Sequence, residues 1–233
     1  MKIMKATSTG LMLLLAGLAF SAAHASPVTL TYTSNNITPS NVSGTISGTG
    51  TVDGLRNVLA GQFTLYANGD SEWFDNGDSV QAYCVETGVR ITQNHEVTYT
   101  VETAEDYFSH RFPYVQQLFA NHYHSSNKAA FQLALWEIVN EQGNEQGTEF
   151  SLGTGTFKAE GFGSSLATAN TWLQAPSGAP VETDFNLYVL RNNDSQDLIF
   201  KSVAVPEPGA LGLLGAGMLA MMLLMQRRRG LST

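Results

Sequence analysis

Cysteine is nearly absent from this sequence: Cys84 is the single one among 233 residues. That excludes an intrachain disulfide. Basic residues are scarce too, with 12 Lys and Arg against 20 Asp and Glu. Setting aside the two chain ends leaves 7 basic and 19 acidic residues, a net charge near −12. Such a surface repels phosphate, which excludes nucleic acid as a partner. The acidic residues are scattered and form no block, so they read as a solvated face. The chain shows no fixed-period repeat, and the roughly 180 residues between its ends suit one domain with its own core. A phosphate-cradling glycine loop is missing, since the glycines fall mainly in strand and turn regions. No cofactor is called for.

What is there begins at the N-terminus. Lys2 and Lys5 precede the apolar run Leu11 to Phe20 and then Ala23-His24-Ala25, the order of charge, apolar stretch and small residues that a signal peptidase reads. The expectation is a signal peptide over 1–25, cut after Ala25. At the other end Val205-Pro206-Glu207-Pro208 precedes the uncharged run Gly209 to Met225, closed by Arg227, Arg228 and Arg229. The run reaches the lower limit of a membrane-spanning helix, and the arginines would hold the C-terminus inside with the central region outside. Pro-Glu-Pro, a short apolar helix and a terminal arginine cluster, in that order, resemble the PEP-CTERM sorting signal of Gram-negative bacteria. The resemblance implies an exosortase as partner, release to the cell surface or extracellular polysaccharide matrix of a biofilm, and a membrane helix that anchors at least transiently. The predicted organisation is therefore signal peptide 1–25, extracellular domain 26–204 and sorting signal 205–233.

Within the domain, segments 28–33, 42–52 and 58–67 are rich in Thr, Ser, Val and Gly and predict strands. Another is predicted over 80–85, where a period of two places Val80, Ala82 and Cys84 on one face and Tyr83 and Val85 on the other. A further strand is expected over 95–102. Pro113 opens a predicted helix carrying Val115, Leu118, Phe119 and His122 at helical spacing. Ser125, Ser126 or Asn127 can cap the next, where Ala130, Phe131, Ala134, Leu135, Ile138 and Val139 form an apolar stripe ending near Gly143. A weaker helix is predicted over 164–173, then strands over 185–190 and 198–205. The fold class is a β-rich α+β domain: antiparallel strands with a helical insertion.

Two segments carry candidate chemistry, Tyr83-Cys84-Val85-Glu86 on a strand and Phe131-Gln132-Leu133-Ala134-Leu135-Trp136-Glu137-Ile138 on a helix. They resemble the thioester domains of bacterial surface adhesins, in which a strand cysteine joins a glutamine from a Thr-Gln-x-Ala helix. Gln132, Ala134 and Trp136 match; Phe131 stands where that family often has threonine. Trp172-Leu173 and Ser195-Gln196-Asp197 also look like this group. The resemblance implies a Cys84–Gln132 thioester in a pocket of Tyr83, Phe131, Ala134 and Trp136, with Glu86 and Glu137 as neighbours able to tune it. The chemistry demands proximity, because a glutamine amide is a poor acyl donor and yields to sulfur only when the fold holds the two in contact. Once made, a thioester acylates an incoming amine or hydroxyl without any cofactor.

The expected activity is thus a single covalent attachment to an extracellular polysaccharide or surface protein, not the turnover of an enzyme. Two readings stay open beside it. One is a non-covalent structural or carbohydrate-binding matrix protein with an unreacted Cys84. The other is a cysteine hydrolase pairing Cys84 with His95, His110 or His122, although no recognisable signature surrounds the cysteine. His122 and His124 form a His-x-His whose spacing does not converge at a helix end. Asp70, Asp75 and Asp78 around Asn76-Gly77 miss the EF-hand spacing and read as a turn. No metal site is expected.

Overall fold

A computed structural model describes residues 27–37, 42–48, 55–142, 150–174 and 178–203, with isolated helical positions at 217, 218 and 221. The expected signal peptide with its Ala25 cleavage site lies outside these residues. So do Pro206, Glu207, Pro208 and Arg227 to Arg229, and nearly all of the expected membrane helix. Among the described residues no helix is long and apolar enough to cross a membrane.

The strands are β1 (Val28–Ile37), β2 (Val42–Ser47), β3 (Leu55–Ala60), β4 (Phe63–Ala67), β5 (Ser79–Cys84), β6 (Glu96–Thr103), β7 (Lys158–Glu160), β8 (Phe185–Arg191) and β9 (Leu198–Val203). The helices are α1 (Ala104–Phe108), α2 (Phe112–His122), α3 (Lys128–Asn140) and α4 (Ser164–Leu173). Six strands close an antiparallel barrel in the order β1-β4-β5-β9-β8-β6, and β3-β2-β7 form a second small sheet. The domain is β-rich with a helical insertion, as the sequence pattern implies.

Alternation decides what fills the barrel. Ala82 lies opposite Phe63 and Phe200, Val80 opposite Leu65, and Cys84 opposite Leu198. Because side chains alternate along a strand, these residues share the inward face. Tyr83 points the other way, onto the helices, with its ring 4.3 Å from that of Phe131 and 6.3 Å from that of Phe119. Both faces of β5 are therefore buried at its C-terminal end.

Helix α3 is the central one, buried continuously from Ala129 to Ile138. The Asn127 Oδ1 accepts the Ala130 N–H at 3.0 Å and so caps its first turn. At its other end the Arg111 guanidinium donates to the Ile138 and Glu141 carbonyls, a cation where a helix presents unpaired carbonyls and negative partial charge. A helix buried all round takes its polar side chains out of water, and α3 carries Gln132, Trp136 and Glu137 there.

Candidate functional site

Strand β4 begins at Phe63, opposite Ala82, so the ladder with β5 ends before Cys84. The side chain of Gln132 takes over there. Its Oε1 accepts the Cys84 N–H at 2.9 Å, and its Nε2 donates to the Cys84 carbonyl at 2.8 Å. One carboxamide thus supplies both the acceptor and the donor that a neighbouring strand would have offered. The structure brings Cys84 and Gln132 together, but at the main chain of Cys84: both polar ends of Gln132 are engaged there.

The sulfur faces another glutamine. Cys84 Sγ donates to Gln196 Oε1 at 2.6 Å, from a residue 1% exposed to one 8% exposed. Gln196 sits in the loop between β8 and β9, and pairing of Cys84 with Leu198 carries that loop to the end of β5. A dense set of bonds fixes it. Asn192 Oδ1 accepts the Asp194 and Ser195 N–H groups at 2.8 and 2.7 Å, while Asp197 Oδ1 accepts the Asn192 N–H at 2.9 Å. Gln196 Nε2 donates to the Glu86 carbonyl at 2.6 Å, and the Asp197 N–H donates to Glu86 Oε2 at 2.9 Å. Tyr107 holds Asp197 Oδ2 at 3.0 Å. Glu86, just beyond the end of β5, and Asp197, just before the start of β9, therefore hold the carboxamide and its loop.

Burial, more than the nearby Glu86 carboxylate, pushes the Cys84 thiol well above its ordinary range. The sulfur keeps its proton and points it at an amide oxygen, so the resting group is a thiol, not a free thiolate. Burial likewise raises Glu86, partly offset by the Asp197 N–H it accepts.

Cys84 and Gln196 open onto a cavity of about 240 Å³. Its walls are largely apolar, among them Tyr32, Ile46, Phe63 and Trp136, and exposed Arg90 and Gln93 stand on its lining farther out. Of the four expected pocket residues, Trp136 lines this cavity. Tyr83 and Phe131 pack in an aromatic cluster on the opposite side of β5, as strand alternation requires, and Ala134 is buried without lining the cavity. His95, His110 and His122 do not line it either. The His122 ring instead stacks on Trp172 at 4.3 Å. Asp70 and Asp78 accept loop N–H groups of Asn76 and Asp75, which is turn chemistry. Among the described residues no group of three or more His, Cys, Asp or Glu is placed to hold a metal ion. Glu137 lies farther along α3, with Oε1 accepting the Ser151 N–H at 2.7 Å.

Gln132, the glutamine expected to join Cys84, meets its main chain, and Gln196, from the Ser195-Gln196-Asp197 segment of the same resemblance, meets its sulfur. The signal for the second contact is long-range: only the β5–β9 register puts residue 196 beside residue 84.

The fold is similar to the N-terminal thioester domain of a surface protein from Clostridium perfringens, with 10% sequence identity and a TM-score of 0.44, covering 76% of this chain and 99% of that one. No curated protein matches the chain in sequence. Residues 204–229 match the family model of the PEP-CTERM protein-sorting motif, so this chain carries the tail of an exported surface protein sorted by an exosortase.

Proposed function

We propose that this surface protein forms an internal thioester between Cys84 and Gln196 and uses it to attach itself once, covalently, to a nucleophile on an extracellular polysaccharide or another surface protein. The observation that carries this reading is the buried 2.6 Å contact between Cys84 Sγ and Gln196 Oε1 beside a largely apolar cavity. The sulfur bonds to Gln196 Cδ, the Cδ–Nε2 bond breaks, and Nε2 leaves with its two hydrogens and the thiol proton as ammonia. Fixed contact supplies the effective concentration the poor acyl donor needs. Gln132 serves as a positioning residue, holding the Cys84 main chain so that its side chain meets Gln196. The protein is consumed in coupling and is not an enzyme.

The intact mass of the full chain tests this. It is expected one ammonia lighter than the sequence mass, with a thiol that resists alkylation until methylamine is added. Peptide mapping after methylamine then finds the methylamide on Gln196. Cys84→Ala and Gln196→Ala each restore the full mass. A methylamide on Gln132 would move the bond back to that residue; a full mass with a free thiol in the wild-type chain would leave a non-covalent matrix protein.

A further inference from the structure

The donors and acceptors around this bond do not balance once it forms. In the resting site Gln196 Oε1 accepts from the Cys84 thiol. That hydrogen departs with the ammonia, so the oxygen is left buried without its donor, and the need is greatest while negative charge collects on it during attack. One unpaired donor belongs to the lining of the same cavity. Trp136 lines the same cavity, is 2% exposed, and its indole N–H is buried without a hydrogen-bond partner among the described residues. The other unpaired buried indole and hydroxyl, on Trp73 and Tyr83, belong to residues that do not line this cavity. Position agrees with role: Trp136 stands one helical turn beyond Gln132, whose carboxamide is fixed to the Cys84 main chain at both ends.

We infer that the Trp136 indole N–H is the donor that receives the charge on Gln196 Oε1, both when the Cys84–Gln196 bond forms and when an amine opens it. This rests on the thioester reading above. In formation, attack by sulfur drives the carbonyl electron pair onto Oε1; its return expels Nε2, which leaves as ammonia with the thiol proton. In opening, the amine nitrogen attacks Cδ, the pair again moves to Oε1, and its return expels the Cys84 sulfur, which takes the proton the amine gives up. An indole suits both steps because it donates and does not accept. It can stabilise the oxygen without becoming a competing nucleophile, which a hydroxyl, an amine or a trapped water would be. Because the N–H has no partner in the resting site, it gives up no hydrogen bond when it turns to the developing charge.

The test uses the full chain with Trp136→Phe and, separately, with β-(3-benzothienyl)alanine at position 136, which keeps the ring's shape and replaces only the N–H. Intact mass follows ammonia loss and the rate of methylamine coupling, and thermal unfolding follows the fold. Both substitutions are expected to slow coupling about a hundredfold, or to leave the chain at full mass, while the benzothienyl chain unfolds at the wild-type temperature. If Trp136→Phe fails to fold, the benzothienyl chain decides. Coupling at the wild-type rate in that chain overturns the role of Trp136 alone, whereas a wild-type chain that never loses ammonia overturns the thioester and this inference with it.

Discussion

Gln132 shows how one side chain can stand in for a missing strand. It is wholly buried, and its two bonds to Cys84 complete a strand end that β4 no longer reaches. Gln132→Ala leaves the Cys84 N–H and C=O unpaired away from water, at about 1 to 3 kcal/mol for each group. The urea midpoint of that variant is expected to fall by the equivalent of about 3 kcal/mol. The glutamine on an apolar helix facing a strand cysteine was legible in the sequence, and so was the shared face of Val80, Ala82 and Cys84. Which atom of Cys84 it meets was not. Local spacing places a residue on a face but does not say where the neighbouring strand stops.

Among the elements, the long apolar helix α3 was plain from periodicity and its cap was narrowed to Ser125, Ser126 or Asn127, because a stripe at three- and four-residue steps and capping are local properties; the structure selects Asn127. Short elements were not plain. The expected strand over 58–67 is two strands parted by Gly61-Gln62 and assigned to different sheets; β7 and α1, of 3 and 5 residues, lie below the length at which a period is visible. The buried end of α3 has its own titration. Burial raises the Glu137 carboxyl from 4.5 to about 7, with the Ser151 N–H and the Arg111 charge opposing it and the Glu141 charge adding to it. A carboxyl raised on folding is neutral in both states below pH 4.5. Above that the unfolded chain ionises first, so stability falls as pH rises through about 7 and is level beyond. The loss amounts to about 3 kcal/mol. Glu137→Gln is expected to remove this slope; urea unfolding at pH 5 and pH 8 should differ for the wild type and nearly coincide for the variant.

For the whole molecule, closure of the barrel depends on pairings remote in sequence. β1 must meet β6, and β5 must meet β9, and nothing in a strand's own residues names its distant partner. That same topology sets what the proposed bond does to stability. Cys84 and Gln196 are 112 residues apart, so joining them removes loop-closure entropy from the unfolded chain as a disulfide of that span does, by about 4 to 5 kcal/mol. In a domain of roughly 180 residues each kcal/mol moves the midpoint by about 2 to 4 °C. Thermal unfolding of the untreated full chain is therefore expected on the order of 10 °C above that of the methylamine-opened chain. Cys84→Ala, which has no bond to open, should unfold at one temperature with or without methylamine. Identical midpoints for opened and untreated wild type would mean that no covalent link ties residue 84 to residue 196, whatever the contact between the two side chains.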